Sequence, residues 1–234
     1  MKKALMILLS LLLVCMSMQT AFAADYDVRL NMKESDWEYI KVYHDVEDGT
    51  IEFRGGDTMI LKKFFGSYIM KYEKEFTDAK FRFFIKYDNL SAEPNDNVFD
   101  IYLRDHVPEK GCWDIEDHSY ALRFCTHPEG TKAFFTTNNE GYPNQFTRND
   151  KGGYIIKDFL GKRSIEPGRF YEFVIGAVNE NGNVRLTLTI DGELMINILD
   201  TSETRITAGA YFCIANLAKA DLTIKMADKT PRTT

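Results

Sequence analysis

This sequence has no excess of basic residues. It contains 29 lysines and arginines and 35 aspartates and glutamates. Proteins that bind nucleic acid through its phosphates present a basic footprint to it. The composition therefore predicts no nucleic-acid partner. A local basic patch that binds an anionic ligand is still compatible with this overall charge.

Cysteine and histidine are scarce, with four of each. No two cysteines have the CxxC spacing of a zinc ribbon or a thioredoxin-like redox site, and the histidines share no ligand spacing. Cys112 and Cys125 could close a short disulfide loop or stay as thiols, and the sequence leaves both readings open. Cys213, within AYFCIAN, is predicted to be a small buried hydrophobic residue.

Long apolar runs are absent after the first 23 residues. The opening MKKALMILLSLLLVCMSMQTAFAA has a positive start, a short apolar stretch and a small-residue cleavage motif ending at Ala23. This is the layout of a secretory signal peptide, here residues 1–23, and the stretch is shorter than the about 20 residues of a membrane helix. We therefore expect an extracytoplasmic protein, secreted or at the cell surface, without a transmembrane segment.

Helical periodicity is almost absent, and alternation of apolar and polar residues takes its place. We count about fourteen short strands separated by Gly-, Asn- and Asp-rich turns, in the pattern of an all-β chain. Little or no helix is expected after the signal peptide, and Trp37 is expected in the core. The predicted fold is a two-sheet antiparallel β-sandwich of the jelly-roll kind. It forms one domain at 24–227 with a flexible tail at 228–234, and a monomer is expected.

The segment NENGNVRLTLTIDGELMIN, residues 179–197, predicts two consecutive hairpins that share their middle strand. Asn-Gly and Asp-Gly tolerate the positive φ angles that tight hairpin turns need. Two sets of residues are predicted to share a face, namely Val184, Leu186, Leu188 and Ile190 in the middle strand, and Leu194, Ile196 and Ile198 in the next.

Alternation stops in two stretches, between Asp105 and Tyr120 and between Asn138 and Tyr154. Long ordered loops inside a compact domain are uncommon and are often functional. Glycans are bound by aromatic faces, while amides and carboxylates bond to the sugar hydroxyls. The loop residues predicted to bind a ligand are Trp113, His118 and Tyr142. Packing within the loop is the competing interpretation of Trp113 and Tyr142.

The order of strands and turns resembles the concanavalin A-like lectin/glucanase superfamily, including its laminin G-like branch. The matching pieces are GTIEFRGGDTMILKK, KFRFFIKYD, VFDIYLRD, RFYEFVIGAVNENGNVRLTLTIDGELMINI and AGAYFCIANLAKADLTIKM. They cover most of the chain from residue 26 to residue 226. The resemblance implies a sandwich that binds an extracellular polysaccharide or another glycan without catalysis. An extracellular adhesion protein with a protein partner is a further option, because a shared fold does not transfer function.

A glycoside hydrolase on the same fold is one catalytic alternative. Glycosidases need two carboxylates about 5–10 Å apart, which family members place on one strand as E-x-D-x-E. This chain lacks such a run. Its nearest acids, Asp114 and Glu116, lie in the first long loop and also suit a solvated surface.

A polysaccharide lyase is the other catalytic alternative. Three predicted strands each carry an arginine at an alternate position that does not face the core, namely Arg82, Arg104 and Arg123. Tyr102 lies near Arg104 on the same strand. If these strands are neighbours, the arginines form a basic stripe that binds carboxylates. The Arg-x-Glu-x-Arg and Gln-x-His motifs of such lyases are missing, and a solvent-facing sheet with scattered charges is the competing interpretation.

The resemblance also implies a structural calcium ion. Asp57, after Gly55-Gly56, and Asp221, near the end of the chain, resemble the family's calcium positions at the sheet edge. Calcium takes oxygen ligands such as carboxylates and backbone carbonyls. No D-x-D-x-D-G loop supports these positions, and both aspartates also suit turns.

Overall fold

The computed structural model describes residues 27–41, 49–62, 68–89, 98–106, 119–127, 130–137, 154–156, 165–201, 203, 205–217 and 220–226. Across these segments there are fifteen β-strands and one 3₁₀ turn, Glu34–Asp36. The described segments contain no helix that is long and apolar enough to cross a membrane. The predicted signal peptide, both predicted domain boundaries and the predicted tail lie outside them.

The strands are β1 (Asp27–Val28), β2 (Trp37–Lys41), β3 (Thr50–Arg54), β4 (Thr58–Lys62), β5 (Tyr68–Phe76), β6 (Ala79–Tyr87), β7 (Val98–Asp105), β8 (Tyr120–His127), β9 (Gly130–Thr137), β10 (Tyr154–Ile156), β11 (Tyr171–Glu180), β12 (Asn183–Ile190), β13 (Glu193–Asp200), β14 (Ala210–Asn216) and β15 (Leu222–Met226).

These strands form two sheets. Sheet A has eight strands in the order β13-β12-β11-β6-β15-β4-β3, with β1 paired in parallel to β6. Sheet B has seven strands in the order β10-β9-β8-β7-β14-β5-β2. The other strand pairs of the described segments are antiparallel. The predicted two-sheet antiparallel β-sandwich is confirmed.

One core lies between the inner faces of the two sheets, and aromatic rings link them. Phe99 and Phe124 of sheet B stack with ring centres 4.7 Å apart. Phe173 of sheet A meets Phe124 edge-on at 5.1 Å. Trp37 is buried as predicted, with its ring edge-on to Tyr72 at 5.1 Å. Alternate residues thus have the inward phase that the sequence indicated.

The two predicted hairpins are confirmed. Asn181 and Gly182 have φ angles of 52° and 80°, and Asp191 and Gly192 have 49° and 82°. These left-handed pairs match the right-handed twist of the strands that they join. Strand β12 buries all four residues assigned to the core, which are Val184, Leu186, Leu188 and Ile190.

A β-bulge in β13 corrects one predicted core position. Leu188 pairs with Ile196 but the following Thr189 pairs with Leu194, so Met195 is an extra residue. An extra residue reverses the side-chain phase on its far side. Leu194 therefore points outward and is 58% exposed. The prediction that Leu194, Ile196 and Ile198 share one face was wrong.

A hydrogen bond between the sheets ties Tyr120 of β8 to Asp200 of β13. The Tyr120 hydroxyl donates to Oδ2 of Asp200 at 2.8 Å and accepts from the backbone N–H of Ile206 at 2.9 Å. Burial, and then the bond to Asp200, raise the pKa of Tyr120. The native state therefore keeps this proton above about pH 10, where the unfolded chain releases it. Its stabilising effect is complete below that pH and is lost as the pH rises.

Replacing Tyr120 by phenylalanine is expected to lower the free energy of unfolding at neutral pH by about 1–3 kcal/mol, because buried Asp200 loses this donor. The variant should then lose less stability than wild type between about pH 9 and 11, since the raised pKa is gone. Urea unfolding across that range measures both effects, with exposed Tyr39→Phe as the control. An equal alkaline loss in Tyr120→Phe and wild type would contradict the assignment.

Candidate functional site

The three arginines predicted to form one stripe lie in three places. Arg82 is on the outer face of sheet A, with Nη1 3.6 Å from Oε1 of Glu172. Arg123 is on the outer face of sheet B, and Arg104 lies at the end of the core. The predicted stripe does not form, because β6 belongs to one sheet and β7 and β8 belong to the other. A ligand role for any one of these residues stays a prediction.

A second β-bulge turns Arg104 away from the outer face. The register between β7 and β14 shifts here, so that Leu103 and Arg104 together oppose Phe212. Arg104 has a φ of 55°, a left-handed conformation that is uncommon outside glycine. The sequence alone does not indicate that Arg104 changes face, because the alternation of apolar and polar residues in β7 continues through the bulge.

Arg104 connects β7 to sheet A. Its guanidinium donates to groups of Asp78, Ala177, Asn179 and Ile206. Burial lowers the pKa of Arg104, but an arginine keeps its charge under ordinary conditions. Because the residue is buried and already bonded to these groups, it stabilises the end of the sandwich and does not face an open surface.

A buried ion pair lies on the outer face of sheet B. Asp100 and Arg123 are direct cross-strand partners. Nε of Arg123 donates to Oδ1 of Asp100 at 2.6 Å, Nη2 donates to Oδ2, and the Tyr102 hydroxyl donates to Oδ2 at 2.9 Å. Asp100 is 2% exposed and Arg123 is 8% exposed. This bidentate pair holds its carboxylate in one orientation.

Apolar residues surround this pair on the same face. They form a hydrophobic cluster separate from the main core, made of Ile69, Tyr102, Cys213, Ala215 and Leu217. The thiol of Cys213 is buried, which confirms the prediction for that residue. The competing interpretation of the sequence, a solvent-facing sheet with scattered charges, was therefore wrong for the centre of sheet B.

A more accessible part of this face lies toward β2. Lys71 of β5 forms an ion pair with Glu38 of β2, and its Nζ lies 4.6 Å from the ring centre of Tyr211 on β14. Lys71 and Tyr102 flank Cys213 in register, about 10 Å apart at the usual strand spacing. Sequence reasoning missed these residues, because strands of distant sequence position bring them together.

We call the polar and aromatic residues of this face the sheet B patch. Glu75 and Asp105 also belong to this patch, because both are cross-strand partners of Tyr211. The patch consists of Glu38, Lys71, Glu75, Asp100, Tyr102, Asp105, Arg123 and Tyr211. Of the residues predicted to bind a ligand, it brings together Tyr102 and Arg123.

The predicted loop residues Trp113, His118 and Tyr142 lie outside the described segments. The same is true of Cys112 and of the acids Asp114 and Glu116. Their predicted roles in binding, in a disulfide and in hydrolysis stay predictions.

The two aspartates predicted to hold calcium do not come together. Asp57 precedes Thr58, which pairs with Lys225 at one end of β15. Asp221 precedes Leu222 at the other end of that strand. The strand rise per residue places the two ends about 13 Å apart. Oδ1 of Asp57 accepts a hydrogen bond from Thr58 at 2.8 Å, and Oδ2 lies 3.9 Å from Nζ of Lys225. No group of three or more metal-binding side chains occurs in the described part of the chain. These residues therefore do not fit one calcium site, and separate sites stay predictions.

No protein-family model and no curated protein matches this sequence. Among solved structures, the potassium-bound carbohydrate recognition domain of Emp46p matches with a TM-score of 0.52 at 7% identity, covering 84% of this chain and 90% of that one. Its metal-free form matches with a TM-score of 0.51 at 9% identity over the same shares.

A third similar structure is the legume lectin-like domain from Entamoeba histolytica. It matches with a TM-score of 0.50 at 9% identity, covering 84% of this chain and 93% of that one. At such low identity the likeness concerns the fold alone. The chain has the concanavalin A-like lectin fold, as its strand and turn order predicted.

Proposed function

We propose that this protein is a non-catalytic, lectin-like protein that binds an extracellular polysaccharide through the sheet B patch. The observation that carries the proposal is the ion pair of Asp100 and Arg123, bonded to Tyr102 on the face opposite the main core. Burying two charges away from water carries a desolvation penalty of several kcal/mol per ion. Side chains that are locked by hydrogen bonds in this way hold the groups around them in one arrangement, which a binding surface requires.

The patch offers two kinds of contact to a sugar. The half-buried ring of Tyr211 can lie against a pyranose ring, as amphipathic aromatic side chains do. Glu38 and Lys71, beside it, can accept from and donate to the sugar hydroxyls. Asp100 and Arg123 are too buried to touch a ligand as they stand. Their role in this proposal is to hold Tyr102 and the centre of the sheet in place.

The fold likeness supports the same proposal, because the similar structures are described as a carbohydrate recognition domain and a legume lectin-like domain. The proposal places the protein outside the cytoplasm, on the strength of its predicted signal peptide. The hydrolase and lyase alternatives stay untested, and the arginine stripe that motivated the lyase is absent from the described strands.

Replacing Tyr211 by alanine is expected to weaken polysaccharide binding by about tenfold or more, because aromatic anchors dominate such contacts. The protein is purified from the exported fraction, and mass spectrometry establishes whether it begins at Ala24. Binding is measured against a panel of neutral and acidic polysaccharides. Phe170→Ala is the matched control, because Phe170 is a 40% exposed ring packed against Phe84 on sheet A.

Two results would contradict the proposed function. The first is that wild type binds no polysaccharide of the panel. The second is that Tyr211→Ala and Phe170→Ala weaken binding equally, which would place the ligand somewhere other than the sheet B patch.

A further inference from the structure

The charged residues of the sheet B patch are mostly acidic. Strand register assigns it four carboxylates, on Glu38, Glu75, Asp100 and Asp105. The same register assigns it two cations, on Lys71 and Arg123. Asp100, Asp105 and Arg123 are buried, so the charged side chains of the patch that a ligand would meet are Glu38, Glu75 and Lys71. These carry two negative charges against one positive charge.

Both cations of the patch are engaged by its own acids. Arg123 is bonded through two nitrogens to Asp100, and Lys71 is paired with Glu38. The ammonium of Lys71 also lies over the ring of Tyr211. A carboxylate or sulfate on a ligand would have to displace one of these acids before it gained a cation of its own.

We infer that the ligand of the sheet B patch is an uncharged, hydroxyl-rich polysaccharide and that the patch discriminates against uronates and sulfated glycans. This inference rests on the proposed function and names its substrate class. Like charges brought into contact across an interface disfavour the wrong partner. Neutral hydroxyls, by contrast, can bond to paired carboxylates and ammonium groups without breaking the pairs.

Polysaccharide pairs that differ only in charge test this inference. Polygalacturonate, polymannuronate and polyglucuronate are each compared with their own carboxyl-reduced neutral form, which keeps the same linkages, on the full exported protein. The neutral member of the pair that binds is expected to bind at least about tenfold more tightly than its uronate. Its affinity should change less than about twofold between roughly 0.05 and 0.5 M salt, because no net charge attraction is screened.

Glu38→Gln sharpens the test by releasing the charge of Lys71. The ratio of uronate affinity to neutral affinity is expected to rise about three- to tenfold in this variant, at low salt. Glu52→Gln is the matched control. Glu52 is an ion-paired glutamate of sheet A whose side chain is 38% exposed, against 49% for Glu38. The control should leave the ratio unchanged.

Three results would overturn the inference, and they are distinguishable. Tighter binding of a uronate, weakened by salt, would reject the charge argument and leave the proposed function standing. An equal ratio in Glu38→Gln and Glu52→Gln would show that the patch does not set the selectivity. Absence of binding to all six polysaccharides would reject both this inference and the proposed function.

Discussion

Replacing Asp100 by alanine is expected to destabilise the protein by about 3–5 kcal/mol, because it removes the carboxylate that is bonded through two oxygens to the buried guanidinium of Arg123. Both partners are almost fully buried, at 2% and 8% exposure. The Tyr102 hydroxyl also loses its bond to Oδ2. Urea unfolding followed by circular dichroism measures the change in the free energy of unfolding.

The double variant Asp100→Ala/Arg123→Met separates charge burial from general damage to the sheet. Removing both charges abolishes the desolvation penalty, so the double variant should be more stable than Asp100→Ala alone. The loss of stability in the double variant is then much smaller than the sum of the losses in Asp100→Ala and Arg123→Met measured separately. If the two single losses simply add, the ion pair is not the energetic unit that its geometry indicates.

Replacing Phe173 by alanine is the other change with a large expected effect, about 3–5 kcal/mol. Phe173 is 1% exposed and packs edge-on against Phe124 and Phe99, with ring centres 5.1 and 6.0 Å away. Its ring belongs to sheet A and the other two belong to sheet B. The truncation would therefore open a cavity at the place where the sheets meet. Thermal and urea unfolding both report this loss.

Phe170→Ala is the control for this truncation as well. It removes the same ring three residues earlier in the chain, from a position that is 40% exposed. Exposed positions lose little transfer free energy, so its effect should stay below about 1 kcal/mol. Similar losses in the two variants would mean that burial between the sheets does not determine the stability of this region.

The alternation of apolar and polar residues was enough to identify the strands and most of the core. In β12, Val184 and the three alternate residues after it are buried as the pattern indicated. Asn-Gly and Asp-Gly located the hairpin turns, since both dipeptides accept positive φ angles. These features depend on contacts between near neighbours, which are encoded locally.

The errors at Leu194 and Arg104 share one physical cause. Each lies at a β-bulge, where one extra residue reverses the side-chain phase. Two strands must be aligned before the extra residue can be recognised. A single strand read by itself continues its alternation through the bulge and predicts the wrong face.

The sequence by itself determined the all-β class, the strand phases and the hairpin turns of this protein, because short-range steric and solvation effects decide them. Apart from the two predicted hairpins, only the tertiary structure decided which strands are neighbours. That order separated Arg82 from Arg123, paired Arg123 with Asp100, and set Lys71 beside Tyr211. A binding surface is made across strands that are far apart in the chain. Its composition therefore depends on long-range pairing, which no local pattern contains.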